Sequence, residues 1–242
     1  MSLFLSSFKK TQITFEIRYD EAFLLWDRTG SLFHSLSSHF KDFRSHTASP
    51  NQTIFYGDRR FVLSVGLERA SITDHLPDQK NDKTFEIFEA FVSNVTLQLE
   101  LQSLKRIGTR FLYTIDCKDL SVAHEKMKNF LLLSYPSGPL FNVSAHTIKP
   151  TYKIEVDNDD LGYIAQLYVS ERKFDFNPSP EIASFDIEVP NKKLVQLVLD
   201  LDFITKKPML IESFDALTWL KGWQKAIGRD ADKFLSARFS DV

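Results

Sequence analysis

Two aspartates, Asp200 and Asp202, stand one residue apart in a segment that alternates between apolar and polar residues. On a β-strand, residues i and i+2 project from the same face of the sheet, so both carboxylates would point the same way. Such a pair can hold a divalent cation if a carboxylate on a neighbouring strand, Glu16 or Asp116, supplies further oxygen ligands. The pattern is therefore compatible with a metal-dependent hydrolase or nuclease.

Arginines on the predicted neighbouring strands offer these aspartates a different partner. Arg18, Arg106 and Arg110 fall on the polar positions of alternating segments, and opposite charges that face each other across a sheet attract. Because these strands supply cations and anions in nearly equal number, mutual pairing is the favoured interpretation. The question is whether the polar side of the sheet is closed by its own ion pairs or left open for a partner.

Other candidate centres are weaker. The acidic stretch 155–160 could begin a calcium loop, but Tyr168 stands where an EF-hand needs a bidentate Glu, so we predict a solvated hairpin turn. Cys117 is the only cysteine and continues an apolar strand face, which favours a buried, inert thiol over a nucleophile beside His124. No Gly-rich phosphate loop, nucleophile elbow or zinc-protease motif is present. We therefore predict no cofactor, and a non-enzyme more than an enzyme.

Composition limits the kinds of partner. Lys and Arg number 30 and Asp and Glu 32, for a net charge of −2, which argues against a dedicated nucleic-acid binder. The N-terminal segment lacks the features of a signal peptide and no apolar run reaches the ~20 residues of a membrane span, so a cytoplasmic protein is expected.

The 22 phenylalanines predict an aromatic core. A Phe-lined cavity that carries an apolar ligand is the alternative.

Hydrophobic periodicity places these residues on a series of strands and helices. The segment that follows Leu104 is the clearest strand, because Ile107, Phe111, Tyr113 and Ile115 alternate with polar residues. In the first half of the chain the predicted elements are strand 11–19, helix 20–43, loop 46–51, strands 53–56 and 60–67 joined by a hairpin turn at Gly57-Asp58, a third strand through Ile72, and helix 84–104. In the second half they are strand 105–117, a helix capped by Asp119 and ended by Pro136, strands 145–156, 163–171, 173–176, 184–189 and 193–205, and helix 213–239.

This order predicts an α+β fold made of internally duplicated β-α-βββ-α units. The chain 1–242 would form a single domain of two pseudo-repeats, about 11–104 and 105–240. The simplest assembly is a curved, mostly antiparallel sheet with helices packed on one face. A tandem saddle like the TATA-binding fold and a helix-grip fold both satisfy the order, and the saddle-like version is favoured.

The segment Arg106–Ile115 (RIGTRFLYTI), which comes directly after a helix, resembles the RIGLRY-N-I core of a sporadically distributed bacterial family of similar length and unassigned function. Thr109 and Thr114 stand where that family often has Leu and Asn. The helix segment 25–27 and the closing strand and helix, 197–203 and 234–236, fit the same family in order. The resemblance implies no catalytic residues. The patchy distribution of the family suggests mobile or defence-associated gene clusters.

The leading hypothesis is a non-catalytic binding or interaction protein that acts as a subunit of a bacterial multi-protein system. Its partner would be another protein or a second copy of the chain. The net charge disfavours nucleic acid without ruling it out, and no membrane is expected to be involved. The expected binding surface is the polar side of the sheet, where both charge signs are abundant and no catalytic signature exists. The candidate binding residues are Glu16, Arg18, Arg106, Arg110, Thr114, Asp116, Asp200 and Asp202.

Overall fold

A computed structural model of the chain describes residues 3–77, 82–131, 151–174 and 192–236. Within these ranges the chain forms four α-helices and eleven strands. The helices are α1 (Leu25–Ser37), α2 (Asp82–Gln98), α3 (Leu120–Leu131) and α4 (Ala216–Ser236). The strands are β1 (Lys9–Arg18), β2 (Phe43–Ser49), β3 (Gln52–Gly57), β4 (Phe61–Gly66), β5 (Arg69–Asp74), β6 (Ser103–Leu104), β7 (Arg106–Cys117), β8 (Thr151–Asp157), β9 (Leu161–Phe174), β10 (Lys192–Thr205) and β11 (Met209–Leu210).

Nine of these strands form one curved, open antiparallel sheet in the order β2-β3-β4-β5-β1-β7-β10-β9-β8. The two remaining strands, β6 and β11, pair with each other. From the centre outward, β1 is followed by β5, β4, β3 and β2, and β7 is followed by β10, β9 and β8. The predicted α+β class and antiparallel sheet are confirmed. One strand more than predicted follows α1, and the internal duplication itself stays a prediction.

The central strands alternate between a buried apolar side and a polar side. Ile13, Phe15 and Ile17 of β1 are fully buried, as are Ile107 and Phe111 of β7. These residues belong to one hydrophobic core together with the inward side chains of all four helices. We call the opposite side of the sheet the polar face; it carries the alternate positions of the same strands, including every candidate binding residue named above.

The segment between β1 and β3 differs from its prediction. The predicted helix 20–43 is shorter, since α1 ends at Ser37, and residues 43–49 form the edge strand β2 instead of a helix end and a loop. The carboxylate of Asp58 accepts hydrogen bonds from the backbone of Lys41 and Asp42, which turns the chain into β2. Because β2 has few apolar residues, its sequence does not show the alternation that would identify a strand.

The predicted hairpin turn between β3 and β4 is confirmed, but the residues with positive φ angles are not those expected. Positive φ angles occur at Asp58 and Arg59, at 49° and 57°, and not at Gly57. Two consecutive positive φ angles are typical of a type I′ hairpin turn. Gly57 meets another requirement, because a Cβ there would overlap the ring of Phe40.

The second half of the sheet follows the prediction where it is described. Asp119 caps α3 by accepting a hydrogen bond from the backbone of Val122 at 2.9 Å. The two strands predicted at 163–171 and 173–176 are one continuous strand, β9, as far as residue 174. The predicted strand 184–189 and the positions 145–150 and 175–176 lie outside the described residues.

Candidate binding surface on the polar face of the sheet

Strand register determines which candidate residues are neighbours. Across β1 and β7, Glu16 lies opposite Gly108 and Arg18 lies opposite Arg106. Across β7 and β10, Arg110 lies opposite Asp202. Residues that face each other in this way have Cβ atoms about 5 Å apart. The structure therefore brings five of the candidates together around Gly108, which has no side chain to separate them. These candidates are Glu16, Arg18, Arg106, Arg110 and Asp202.

Arg110 and Asp200 form an ion pair on the polar face through two parallel hydrogen bonds. Nε of Arg110 donates to Oδ1 of Asp200 at 2.8 Å, and Nη2 donates to Oδ2 at 2.5 Å. Asp200 is only 4% exposed, whereas the side chain of Arg110 is 48% exposed. Hydrogen bonding to Asp200 raises the pKa of Arg110. Mutual pairing of arginine and aspartate, the favoured interpretation of the sequence, is confirmed here.

This pairing bears on the metal hypothesis. Both oxygens of Asp200 accept hydrogen bonds from Arg110, which leaves the carboxylate poorly placed to coordinate a cation. Among the described residues, no group of three or more His, Cys, Asp or Glu side chains could hold a metal ion. The observed geometry therefore gives no support to a hydrolase built on Asp200 and Asp202.

Asp202 has a different environment from its neighbour. Burial raises the pKa of Asp202, and the nearby charges of Arg110 and Arg106 offset only part of that effect. No ion pair involves Asp202 within the part of the chain that the structure describes. Asp202 is thus a half-buried carboxylate whose charged form is disfavoured.

Thr114 and Asp116 lie farther along β7 and belong to a separate contact. Nε2 of Gln196 donates to Oδ1 of Asp116 at 2.8 Å and lies 3.5 Å from Oγ1 of Thr114. Thr114 is 8% exposed. These two candidates are therefore held by an amide of β10 and do not join the arginines around Gly108.

A row of three arginines lies on the polar face at one end of three adjacent strands, β5, β1 and β7. Arg18 lies directly opposite Arg69 on one side and directly opposite Arg106 on the other. We call Arg69, Arg18 and Arg106 the arginine row. Glu16 accepts a hydrogen bond from Nε of Arg18 at 2.8 Å, and among the described residues it is the only carboxylate bonded to the row.

Among the residues that the structure describes, no carboxylate is bonded to either of the two outer members of the row. Nε of Arg106 is buried and forms no hydrogen bond with the described residues. Arg69 is exposed. Sequence reasoning missed Arg69, because only the register between β5 and β1 places it beside Arg18, and no local pattern at Arg69 reveals that register.

Three acidic groups on the other half of the polar face are bound by cations. Glu155 of β8 pairs with Lys153 at 2.7 Å, and Asp157 pairs with Lys206. Asp200 is bound by Arg110.

Two further carboxylates of this face, Asp116 and Asp202, form no ion pair with the described residues. The polar face therefore carries unpaired groups of both signs, and the arginine row is a local cluster of positive charge within it.

The remaining candidate centres have structural roles. The turn after β8 is a hairpin in which Oδ1 of Asn158 accepts hydrogen bonds from the backbone of Asp160 and Leu161, as predicted. Burial raises the pKa of the Cys117 thiol, and its Sγ lies 3.7 Å from the carbonyl oxygen of Ile115. A raised pKa disfavours the thiolate that a nucleophile requires.

Comparisons with known proteins add no identification. No family model matches the chain, and no curated protein matches it. The resemblance of β7 to the RIGLRY-type core therefore stays a prediction. Among the described helices, none is both long enough and apolar enough to cross a membrane.

Proposed function

We propose that this protein is a non-catalytic binding protein that holds an acidic segment of another protein on its polar face. The arginine row supplies the contacts. The observation that carries the proposal is the direct opposition of Arg69, Arg18 and Arg106 on three adjacent strands. In the described part of the chain, Glu16 is the one carboxylate bonded to these arginines.

Such an arrangement costs stability in the unbound protein. Like charges directly opposite each other on neighbouring strands are destabilising, and a buried donor without a partner, such as Nε of Arg106, carries a desolvation cost. A carboxylate from a partner relieves both costs, because guanidinium groups bind carboxylates through two parallel hydrogen bonds. The surface is therefore better satisfied with an anionic ligand than without one.

The dimensions of the row suit a short extended peptide. Adjacent strands lie about 4.8 Å apart, so three strands span about 10 Å. An extended chain rises about 3.3 Å per residue. About three residues of an acidic segment that crosses the strands would cover the row, which matches a protein partner. A bacterial, defence-associated setting for this partner rests on the resemblance of β7 alone.

Binding of a labelled hexaglutamate peptide, followed by fluorescence anisotropy, tests the proposal. The variant carries Arg18→Ala and Arg106→Ala together, and Arg110 is kept because it satisfies Asp200. The matched control carries Lys221→Ala and Lys225→Ala, which remove the same charge from exposed positions of α4. We expect the Kd to rise about tenfold or more in the arginine variant, since each tenfold change is about 1.4 kcal/mol, and to change little in the control.

Two outcomes would contradict the proposal. Equal weakening in both variants would mean that the peptide responds to total charge and not to the arginine row. Tighter binding of a single-stranded oligonucleotide than of the peptide, lost with the same two arginines, would assign the surface to nucleic acid. Circular dichroism of each variant verifies that the fold is retained.

A further inference from the structure

A half-enclosed cavity of about 600 Å³ lies on the apolar side of the sheet, between α4 and the strands β8, β9 and β10. Its sheet wall includes Ala165, Leu201 and Phe203, and its helix wall includes Trp223 and Ile227. The cavity lies on the opposite side of the sheet from the arginine row. It provides the space between helix and sheet that the apolar-ligand alternative requires.

Small side chains on both walls leave this space. Ala165 of β9 lines the sheet wall, and Ala226 and Ala231 of α4 line the helix wall. Nearer the centre of the sheet, large side chains hold α4 in place: the ring of Trp223 stacks on Phe203 at 4.1 Å, and Nε1 of Trp219 donates to Thr109. The helix is therefore fixed over β7 and β10, while the alanines keep the cavity unfilled by side chains.

The lining is suited to an apolar molecule. Phe203 and Trp223 provide a stacked aromatic wall, and Tyr163 lies 6.2 Å from Phe203 between ring centroids. Val156 and Tyr163, which also line the cavity, are 43% and 36% exposed. Exposed apolar side chains that are continuous with a concave apolar space are typical of ligand sites.

The charged groups of the lining are engaged with one another. Arg229 and Lys233 both bind Asp230, with Nε of Arg229 at 2.9 Å from Oδ2 and Nζ of Lys233 at 3.0 Å from Oδ1. Asp157 is paired with Lys206. Because these charges balance within the rim, a ligand needs no charge of its own.

We propose that this cavity is a binding site for a neutral, apolar small molecule with an aromatic or similarly flat body. Its volume lies within the roughly 300–1,000 Å³ of small-molecule sites. The site goes beyond the proposed function, because it uses neither the polar face nor the arginine row, and it can fail or hold independently of that function.

Titration of the whole protein with the neutral probe N-phenyl-1-naphthylamine tests the site, with probe fluorescence as the readout. Ala226→Trp fills the cavity from the helix side, and Val156→Asp places a charge at its exposed mouth. The matched control is Ala90→Trp, the same substitution at a half-buried alanine of α2, which lies outside the lining. Circular dichroism and the Tm show that each variant is folded.

The proposal requires saturable binding of one probe molecule per chain, weakened about tenfold or more in both cavity variants and retained in Ala90→Trp. Binding that survives Ala226→Trp and Val156→Asp would overturn it, as would the absence of saturable binding to the wild-type protein. Binding of the anionic probe 1-anilinonaphthalene-8-sulfonate with no binding of the neutral probe would also overturn it, since a charged ligand would then be required.

Discussion

At the scale of single residues, the polar face contains ion pairs of two kinds. The carboxylate of Asp200 is almost fully buried and depends on Arg110 for its hydrogen bonds. The carboxylate of Glu16 keeps 26% of its surface exposed and can exchange Arg18 for water. Only the first kind leaves a buried charge uncompensated when its arginine is removed.

We therefore predict that Arg110→Ala lowers the free energy of unfolding by about 2–3 kcal/mol, somewhat less than for a fully buried pair because Arg110 is half exposed. Arg18→Ala breaks the exposed pair with Glu16, worth about 0–1 kcal/mol, and also relieves its opposition to Arg69 and Arg106. It should therefore change the free energy of unfolding by less than about 1 kcal/mol. Urea unfolding of both variants measures the difference. Equal effects would show that Asp200 does not depend on Arg110.

Asp202 gives a prediction for pH. Because burial holds its pKa above the usual 3.8, the folded state binds more protons than the unfolded state between that value and the raised one. The free energy of unfolding therefore falls as the pH rises through this window. Asp202→Asn should raise the Tm at neutral pH, and the gain should vanish as the pH falls below the usual aspartate value.

Asp230→Asn is the matched control, because the pKa of Asp230 is shifted in the opposite direction from that of Asp202. Hydrogen bonds from Arg229 and Lys233 lower the pKa of Asp230 to about 2, so its contribution to stability is present above the usual pKa and is lost as the pH falls toward that lowered value. Thermal unfolding followed by circular dichroism across the acidic range compares the two variants. A loss of stability in Asp202→Asn at neutral pH would contradict the account of its environment.

At the scale of elements, the register of β5, β1 and β7 determines the arginine row. Arg69→Glu turns one opposition of like charges into a cross-strand ion pair with Arg18. We predict that it stabilises the protein by about 0.2–1 kcal/mol and weakens binding of an acidic peptide. Arg172→Glu makes the same charge change opposite Leu194 and should give no such gain. A lower Tm for Arg69→Glu than for Arg172→Glu would mean that the charges of Arg18 and Arg69 do not repel each other measurably.

The elements also show how far the sequence was informative. The strands β7 and β10 were predictable, because each has a long alternation of apolar and polar residues. The edge strand β2 was not, because one-sided burial at an edge needs few apolar residues. The sequence predicted pairing between arginines and these aspartates, but not which residues pair. The residue of β10 directly opposite Arg110 is Asp202, whereas the ion pair forms with Asp200. A diagonal pair of this kind depends on side-chain geometry that spacing does not encode.

At the scale of the whole molecule, the sheet separates two surfaces of opposite character. The apolar side holds the core and, under α4, a cavity. The polar side carries the arginine row and, on its other half, acidic groups of which Asp200, Glu155 and Asp157 are bound by cations. The sequence predicted this division because strand residues alternate between faces. Neither the place of Arg69 in the row nor the location of the cavity could be predicted. The first requires the strand register, and the second requires the position of α4, which stacks Trp223 on Phe203.

The central claim is that the arginine row binds an acidic partner. The most direct test is NMR of arginine side-chain Nε–Hε groups in ¹⁵N-arginine-labelled protein, titrated with hexaglutamate peptide. We predict that the signals of Arg18, Arg69 and Arg106 shift with one common Kd, while the signal of Arg110, already bonded to Asp200, stays in place. Shifts confined to Arg110 or to Arg229 on α4, or no shift in the row at saturation, would contradict the account.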